Sequence, residues 1–140
     1  MNTSAVFRLW RAALPALRVK GGAIVNVATD WALVGARGAV GYAVSKAAVA
    51  QMTRCMALDH ASEGVSINAV CPGDTDIPML AAGIIGAVRA DRLTAIGATI
   101  PMRRVGTPED VANVTAFLAS DAAGYMTGAL IPVDVGTSAD

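Results

Sequence analysis

A tyrosine and a lysine four residues apart are the pair in this sequence best suited to proton chemistry. They are Tyr42 and Lys46, within the Ala-rich run VGYAVSKAAVAQMTR. On a helix this spacing puts both side chains on one face. A phenol with a pKa of about 10 is a poor base at neutral pH, and a nearby ammonium favours its ionised form. The same spacing arises by chance at roughly one position in 400 and also fits two ordinary residues of a helix face, so the surrounding elements must decide.

Helix and strand signals alternate along the first half of the chain. Apolar residues recur at helical spacing over 2–19. A short β-branched run at 23–29 predicts a buried strand. Residues 42–61 contain neither Gly nor Pro and predict the longest helix, and the run at 65–71 predicts a second strand.

The second half of the chain begins with an irregular segment. Glycines interrupt 74–101, a composition that predicts one or two helices and is typical of a lid rather than of a core element. Thr107 followed by Pro108 predicts a helix start. A third strand is predicted at 129–135, near a sheet edge because Pro132 cannot donate a hydrogen bond.

Strands that alternate with helices predict a parallel sheet covered on both faces. A hydrophobic content of 54% with only 4% aromatic residues favours the same α/β class. Ligands of such sheets bind beyond the carboxyl ends of the strands. Thr29 and the segment 72–77 should therefore border one crevice, with Tyr42 at the start of the intervening helix.

The composition argues against several classes of function. Lys plus Arg equals Asp plus Glu at 11 each, so the chain lacks the positive charge of a nucleic-acid or anionic-membrane binder. The most apolar run, 79–88, is about half the length that spans a bilayer. No secretory signal pattern precedes it, and His60 is the sole histidine. We expect no metal site, a cytoplasmic location, and buried thiols at Cys55 and Cys71.

Several motifs in a fixed order resemble the short-chain dehydrogenase/reductase family, whose signature is Tyr-x-x-x-Lys on a doubly wound sheet. They span nearly the whole chain and read IVNVAT, YAVSK, INAVCPG, RRVGTPEDVA and FLASDAAGYMTGALIPVD. The resemblance implies an NAD(P)(H)-dependent oxidoreductase that interconverts a small secondary alcohol and a ketone by hydride transfer. NAD or NADP is the implied cofactor.

The resemblance also implies a catalytic tetrad of Asn2, Thr29, Tyr42 and Lys46. Tyr42 matches the general acid/base, and Thr29 matches a residue that hydrogen-bonds the same substrate oxygen. The family more often has Ser there, but a threonine hydroxyl has the same donor and acceptor capacity. Asn2 matches an Asn that holds a water in a proton relay. Without the resemblance, Thr29 is a strand-end cap and Asn2 a helix cap.

Cofactor contacts follow from the same resemblance. The expected residues are Tyr42, Lys46, Pro72, Gly73 and Thr75. Lys46 would bond the nicotinamide ribose, and Thr75 would meet the carboxamide. Ile77 departs from the family, which commonly has Thr there, and an isoleucine side chain makes no hydrogen bond. We expect Trp31 to line the substrate pocket.

The Gly-rich turn that cradles the pyrophosphate in the family's first half has no counterpart in this sequence. We therefore expect a single domain over 1–140, with a partial Rossmann-like sheet of about three strands and the N-terminal nucleotide-binding half absent. Two hypotheses remain open. The chain is either the catalytic portion of an oxidoreductase or a truncated, non-catalytic remnant that acts as a self-associating module.

Self-association is expected in either case. The family pairs two helices across a dimer axis, and they correspond here to 2–19 and 42–61. Their apolar side chains, among them Trp10 and Val49, exceed what one sheet face can cover. We expect a homodimer or homotetramer through these helices.

Overall fold

The structure is a computed structural model that describes residues 2–80 and 86–139, without the side chains of Asn2 and Ala87. Helices and strands alternate along it. In chain order they are α1 (Asn2–Lys20), β1 (Gly22–Val27), α2 (Val40–His60), β2 (Val65–Pro72), α3 (Gly86–Gly97), α4 (Pro108–Leu118) and β3 (Leu130–Val133). Single 3₁₀ turns follow β1, α2 and α4.

The strands form one parallel sheet in the order β1-β2-β3. In this register Asn26 of β1 pairs with Ala69 of β2. The central strand is buried from Ile67 to Cys71, as expected of a strand covered on both faces. Pro132 lies on β3, at an edge of the described sheet, where a missing N–H is tolerated. The predicted α/β fold with three parallel strands is confirmed.

Helices pack on both faces of the sheet. Side chains that alternate along β2 point to opposite faces, so Ile67 and Val70 enter different clusters. Ile67 packs with Trp10 of α1 and Ala57 of α2. Val70 packs with Leu118 of α4. This layering fixes the carboxyl end of β2 relative to the start of α2.

Element boundaries differ from the predicted ones by a residue or two. β1 ends at Val27 because Thr29 already precedes the 3₁₀ turn at Asp30–Ala32. β3 ends at Val133 because the carboxylate of Asp134 accepts backbone N–H bonds in the turn that follows. Both early strand ends leave polar side chains at the same edge of the sheet.

The segment 74–101 contains α3, and Arg89 of this helix pairs with Asp76. Residues 81–85 lie outside the described part of the chain. A lid function for this segment stays a prediction.

A chain of buried hydrogen bonds ties α1, β1 and α2 together. The indole Nε1 of Trp10 donates to Asn26 Oδ1 at 3.0 Å, and Asn26 Nδ2 donates to Thr53 Oγ1 at 2.9 Å. Thr53 Oγ1 in turn donates to the carbonyl of Val49. Such a satisfied network fixes the packing of its members, because a buried polar group without a partner is costly.

Two side chains expected to contribute to an apolar surface excess are core residues instead. Trp10 is only 3% exposed and Val49 only 1%. Trp10 can be buried because Asn26 satisfies its N–H. The exposed apolar side chains of α1 and α2 include Phe7, Leu9 and Val44. The excess is therefore real, but other residues form it.

The expectation that both thiols are buried is half wrong. Cys71 is fully buried within β2, whereas Cys55 lies exposed on α2. The buried stripe of α2 comprises Val49, Ala50, Thr53 and Ala57. Cys55 falls on the other side of the helix from that stripe.

Burial should make Cys71 unreactive. Loss of hydration raises the pKa of its thiol to about 11, so little thiolate forms at neutral pH. In a Cys55→Ser variant we expect no labelling by a thiol-specific disulfide reagent until the protein is unfolded with urea. Rapid labelling of that variant under native conditions would contradict the burial of Cys71.

None of the helices described is long and apolar enough to cross a membrane. Within the same residues, no group of three His, Cys, Asp or Glu side chains is arranged to hold a metal ion.

Candidate active site

A cavity of about 500 Å³ opens at the carboxyl ends of β1 and β2, beside the first turns of α2. This is the edge at which the sequence predicted a crevice. Its lining includes all but one of the predicted site residues, namely Thr29, Tyr42, Lys46, Pro72, Gly73 and Thr75, together with Trp31. The exception is Asn2, which begins α1 but whose side chain lies outside the described residues.

Lys46 is half-buried and anchored. Its Nζ donates to the carbonyl of Val27 at 2.7 Å, which orients the side chain toward the end of β1. Burial lowers the pKa of the Lys46 ammonium from its usual value. An ammonium has three N–H groups, so two remain for other partners.

Tyr42 lies one helical turn before Lys46 and packs against Trp31. The two rings meet edge to face, with centroids 6.0 Å apart and planes at 90°. This contact favours the orientation in which the phenol ring lies against Trp31. Within the described residues the Tyr42 hydroxyl has no hydrogen-bond partner, so it is available to a ligand.

The hydroxyl of Thr29 is buried and already engaged. Thr29 Oγ1 lies 3.0 Å from Asp30 Oδ1 and 3.4 Å from the carbonyl of Pro72. A hydroxyl has one proton, so the shorter contact is the stronger candidate for donation. With its proton directed to Asp30, Thr29 keeps lone pairs with which to accept a bond from a ligand.

Asp30 is a site residue that was not among the catalytic and cofactor-binding residues predicted from the sequence. It is only 3% exposed and lines the cavity. Its Oδ1 accepts from Thr29 Oγ1 and from the backbone N–H of Trp31, the latter at 2.8 Å. Burial raises the pKa of the Asp30 carboxyl; these two bonds oppose the rise, and the charges of Asp134 and Asp74 add to it. The signal in the sequence was an acidic residue directly after a strand end.

The turn after β2 is held by packing rather than by conformational freedom. The backbone N–H of Gly73 donates to the carbonyl of Val133 at 3.2 Å. A Cβ added at Gly73 would lie 2.8 Å from the Cβ and 2.9 Å from the Cα of Asp134. Thr75 Oγ1 donates to the carbonyl of Gly73 at 3.0 Å. Glycine is therefore required at this position because Asp134, the residue directly after β3, approaches too closely for a side chain.

Comparison with known proteins gives the family. A family model described as enoyl-(acyl carrier protein) reductase matches residues 1–138. Protein FixR of Bradyrhizobium diazoefficiens is 40% identical over 140 residues, covering 97% of this chain and 46% of that protein. Cis-4-hydroxycyclohexanecarboxylate dehydrogenase of Sinomonas cyclohexanicum is 44% identical over 118 residues, covering 84% of this chain and 45% of that enzyme.

Solved structures agree with this fold. The ligand-free aldohexose dehydrogenase of Thermoplasma acidophilum superposes with a TM-score of 0.92 at 32% identity, over 100% of this chain and 57% of that one. ElxO with NADP bound gives 0.89 at 29% identity, over 99% of this chain and 56% of that one. The chain spans about half the length of the curated relatives it matches. Sequence, fold and these relatives together show that it belongs to the short-chain dehydrogenase/reductase family.

Proposed function

We propose that the cavity is the catalytic centre of an NAD(P)(H)-dependent oxidoreductase that interconverts a secondary alcohol and a ketone. The observation that carries this proposal is the convergence of Thr29, Tyr42 and Lys46 on one cavity. The names of relatives support the reaction class, since they include the cis-4-hydroxycyclohexanecarboxylate dehydrogenase named above and a meso-2,3-butanediol dehydrogenase of Serratia marcescens that is 42% identical over 127 residues.

Three side chains divide the proton chemistry. Tyr42 acts as general acid/base on the substrate oxygen. Lys46, one turn further along α2, supplies a positive charge that favours the phenolate. Thr29 lines the same cavity, and its hydroxyl can turn from Asp30 to donate a hydrogen bond to the substrate oxygen, which leaves the single hydroxyl proton of an alcohol to Tyr42. As the family resemblance implies, Asn2 is proposed to hold a water of the proton relay.

The residues around the cavity fit the nicotinamide end of the cofactor. Two N–H groups of Lys46 remain for a ribose hydroxyl, and Tyr42 has a free hydroxyl beside them. Pro72, Gly73 and Thr75 form the wall against which the ring would lie. A cofactor held there would supply hydride transfer to or from the carbinol carbon of the substrate.

We further propose that the protein is a homodimer or homotetramer through α1 and α2. Phe7, Leu9 and Val44 are 48%, 69% and 63% exposed on these helices. Apolar side chains exposed in this number favour a covered surface. The same surface favours the second candidate function, a self-associating module without catalysis, so the exposed side chains do not separate the two.

Cofactor binding separates them. Titration of the chain with NADH or NADPH, followed by cofactor fluorescence, should give saturable binding. Lys46→Met should weaken it about tenfold or more, because a charge-assisted hydrogen bond is lost. Lys20→Met alters the other lysine, at the end of α1, and should leave the affinity unchanged.

Binding in the micromolar range would reject the non-catalytic module. Absence of binding, together with self-association by light scattering, would reject the catalytic proposal for this chain. Equal effects of the two lysine substitutions would show that Lys46 does not contact the cofactor.

A further inference from the structure

The carboxylate of Asp30 uses only one of its two oxygens within the described part of the chain. Oδ1 accepts from Thr29 Oγ1 and from the Trp31 N–H, whereas Oδ2 has no hydrogen bond there. Every described side-chain oxygen or nitrogen that is sealed from solvent has a partner. Oδ2 is therefore not sealed. Since the residue is 97% buried and lines the cavity, Oδ2 opens onto the cavity.

Among the described residues that line the cavity, none donates a hydrogen bond to Oδ2. The cavity wall is largely apolar, with Trp31, Ile77 and Leu80 among its members. Of the basic side chains, Lys46 lines the wall, and it already bonds the carbonyl of Val27. The other acidic side chain on the wall, Asp74, adds negative charge. A half-satisfied carboxylate in such a setting is costly, and a donor on a bound ligand would remove the cost.

We propose that Asp30 Oδ2 selects substrates with a second hydrogen-bond donor on the carbon next to the reacting carbinol. This inference rests on the proposed oxidoreductase function. The same carboxylate holds Thr29, so a substrate oxygen bound at Thr29 has its neighbouring substituent close to Oδ2. A hydroxyl or an ammonium meets this requirement. A carboxylate at the same place is repelled by Asp30 and Asp74.

Asp30→Asn tests the role of Oδ2 selectively. The N–H of Trp31 points at Oδ1 and would fix the amide oxygen of the new side chain at that place. Thr29 then keeps its acceptor, while the amide nitrogen replaces Oδ2. The substitution therefore converts one acceptor in the cavity into a donor and leaves the rest of the site in place. Asp74→Asn is the matched control, since it removes the same charge from the same wall.

The substrate series varies one substituent on a common carbinol. Isopropanol, propylene glycol, isopropanolamine and lactate carry a hydrogen, a hydroxyl, an ammonium and a carboxylate, respectively, at the neighbouring position. We expect the unmodified protein to favour propylene glycol or isopropanolamine over isopropanol by about tenfold or more in kcat/KM, and to disfavour lactate. Asp30→Asn should remove the preference, measured as the ratio of kcat/KM for propylene glycol to that for isopropanol, and Asp74→Asn should keep this ratio. An equal loss for all substrates in Asp30→Asn would mean a purely structural role and would overturn the inference.

A binding measurement keeps this inference separate from the proposed function. Saturation-transfer NMR of the chain with propylene glycol and isopropanol reports ligand contact without turnover. Preferential contact with the glycol that is lost in Asp30→Asn supports the inference even if no alcohol is oxidised, and in that case the catalytic proposal alone fails. Turnover with an unchanged substrate ratio in Asp30→Asn overturns the inference and leaves the catalytic proposal standing. If the protein shows neither turnover nor preferential contact with the glycol, both the inference and the catalytic proposal are overturned.

Discussion

Tyr42→Phe is expected to lower the turnover of a secondary alcohol by about 10²–10⁴-fold, the usual contribution of a positioned general acid/base. The substitution removes the hydroxyl and keeps the ring that packs edge to face on Trp31. Folding should therefore be unaffected, and cofactor affinity should fall only slightly. Steady-state kinetics together with cofactor fluorescence titration measure both quantities on the same preparation.

Tyr125→Phe provides the matched control. Tyr125 is the only other tyrosine in the chain, and its side chain is fully exposed, away from the cavity lining. We expect its loss to leave turnover unchanged. If the two variants retained equal activity, Tyr42 would not be the acid/base, and the proton chemistry would have to be assigned elsewhere.

Gly73→Ala is expected to destabilise the protein by about 1–3 kcal/mol, the typical cost of overpacking a filled site. The added methyl would meet backbone and Cβ atoms of Asp134, which cannot rotate away. Relief requires β3 or the turn after β2 to shift. Because Gly73 also lines the cavity, cofactor affinity should fall as well. Urea unfolding followed by circular dichroism measures the change in the free energy of unfolding.

Gly35→Ala is the control for Gly73→Ala. It replaces a glycine at a position where the added methyl group has no close neighbour. A Cβ at Gly35 meets no heavy atom within 4 Å, and its φ lies outside the left-handed region. The expected change in the free energy of unfolding is within about 0.5 kcal/mol. Similar destabilisation by both variants would show that the approach of Asp134 is not the reason for glycine at 73.

The fold was readable from the sequence because its signals are local. The apolar, β-branched runs around Ile24 and Ile67 are too short for helices and are bounded by glycine or proline, which specifies buried strands. The rule that ligands bind at the carboxyl ends of parallel strands then brought Thr29, Tyr42 and Pro72 to one crevice, where the structure also has them.

The partners of individual side chains could not be predicted from the sequence, because they depend on how the elements pack together. Trp10 is buried because Asn26, sixteen residues later, accepts its N–H, a contact that only the packing of α1 on β1 reveals. The buried stripe of α2 includes the polar Thr53, which accepts a hydrogen bond from Asn26, and Cys55 lies on the opposite side of the helix. Hydrophobicity alone therefore predicts the wrong buried face for α2. The buried position of Asp30 depends on its partners Thr29 and Trp31, which are set by the turn that follows β1 and leave no periodic pattern in the sequence.

Transfer of an isotope tests the central claim most directly. An alcohol deuterated at its carbinol carbon is incubated with NAD⁺ or NADP⁺ and the protein, and the recovered nicotinamide is examined by mass spectrometry. We predict that deuterium from propylene glycol appears on the nicotinamide ring, that Tyr42→Phe slows the transfer by about 10²–10⁴-fold, and that Tyr125→Phe leaves its rate unchanged. Deuterium transfer that persists in Tyr42→Phe at the unmodified rate, or its absence in a protein that binds both cofactor and alcohol, would contradict the assignment of this cavity as the catalytic centre.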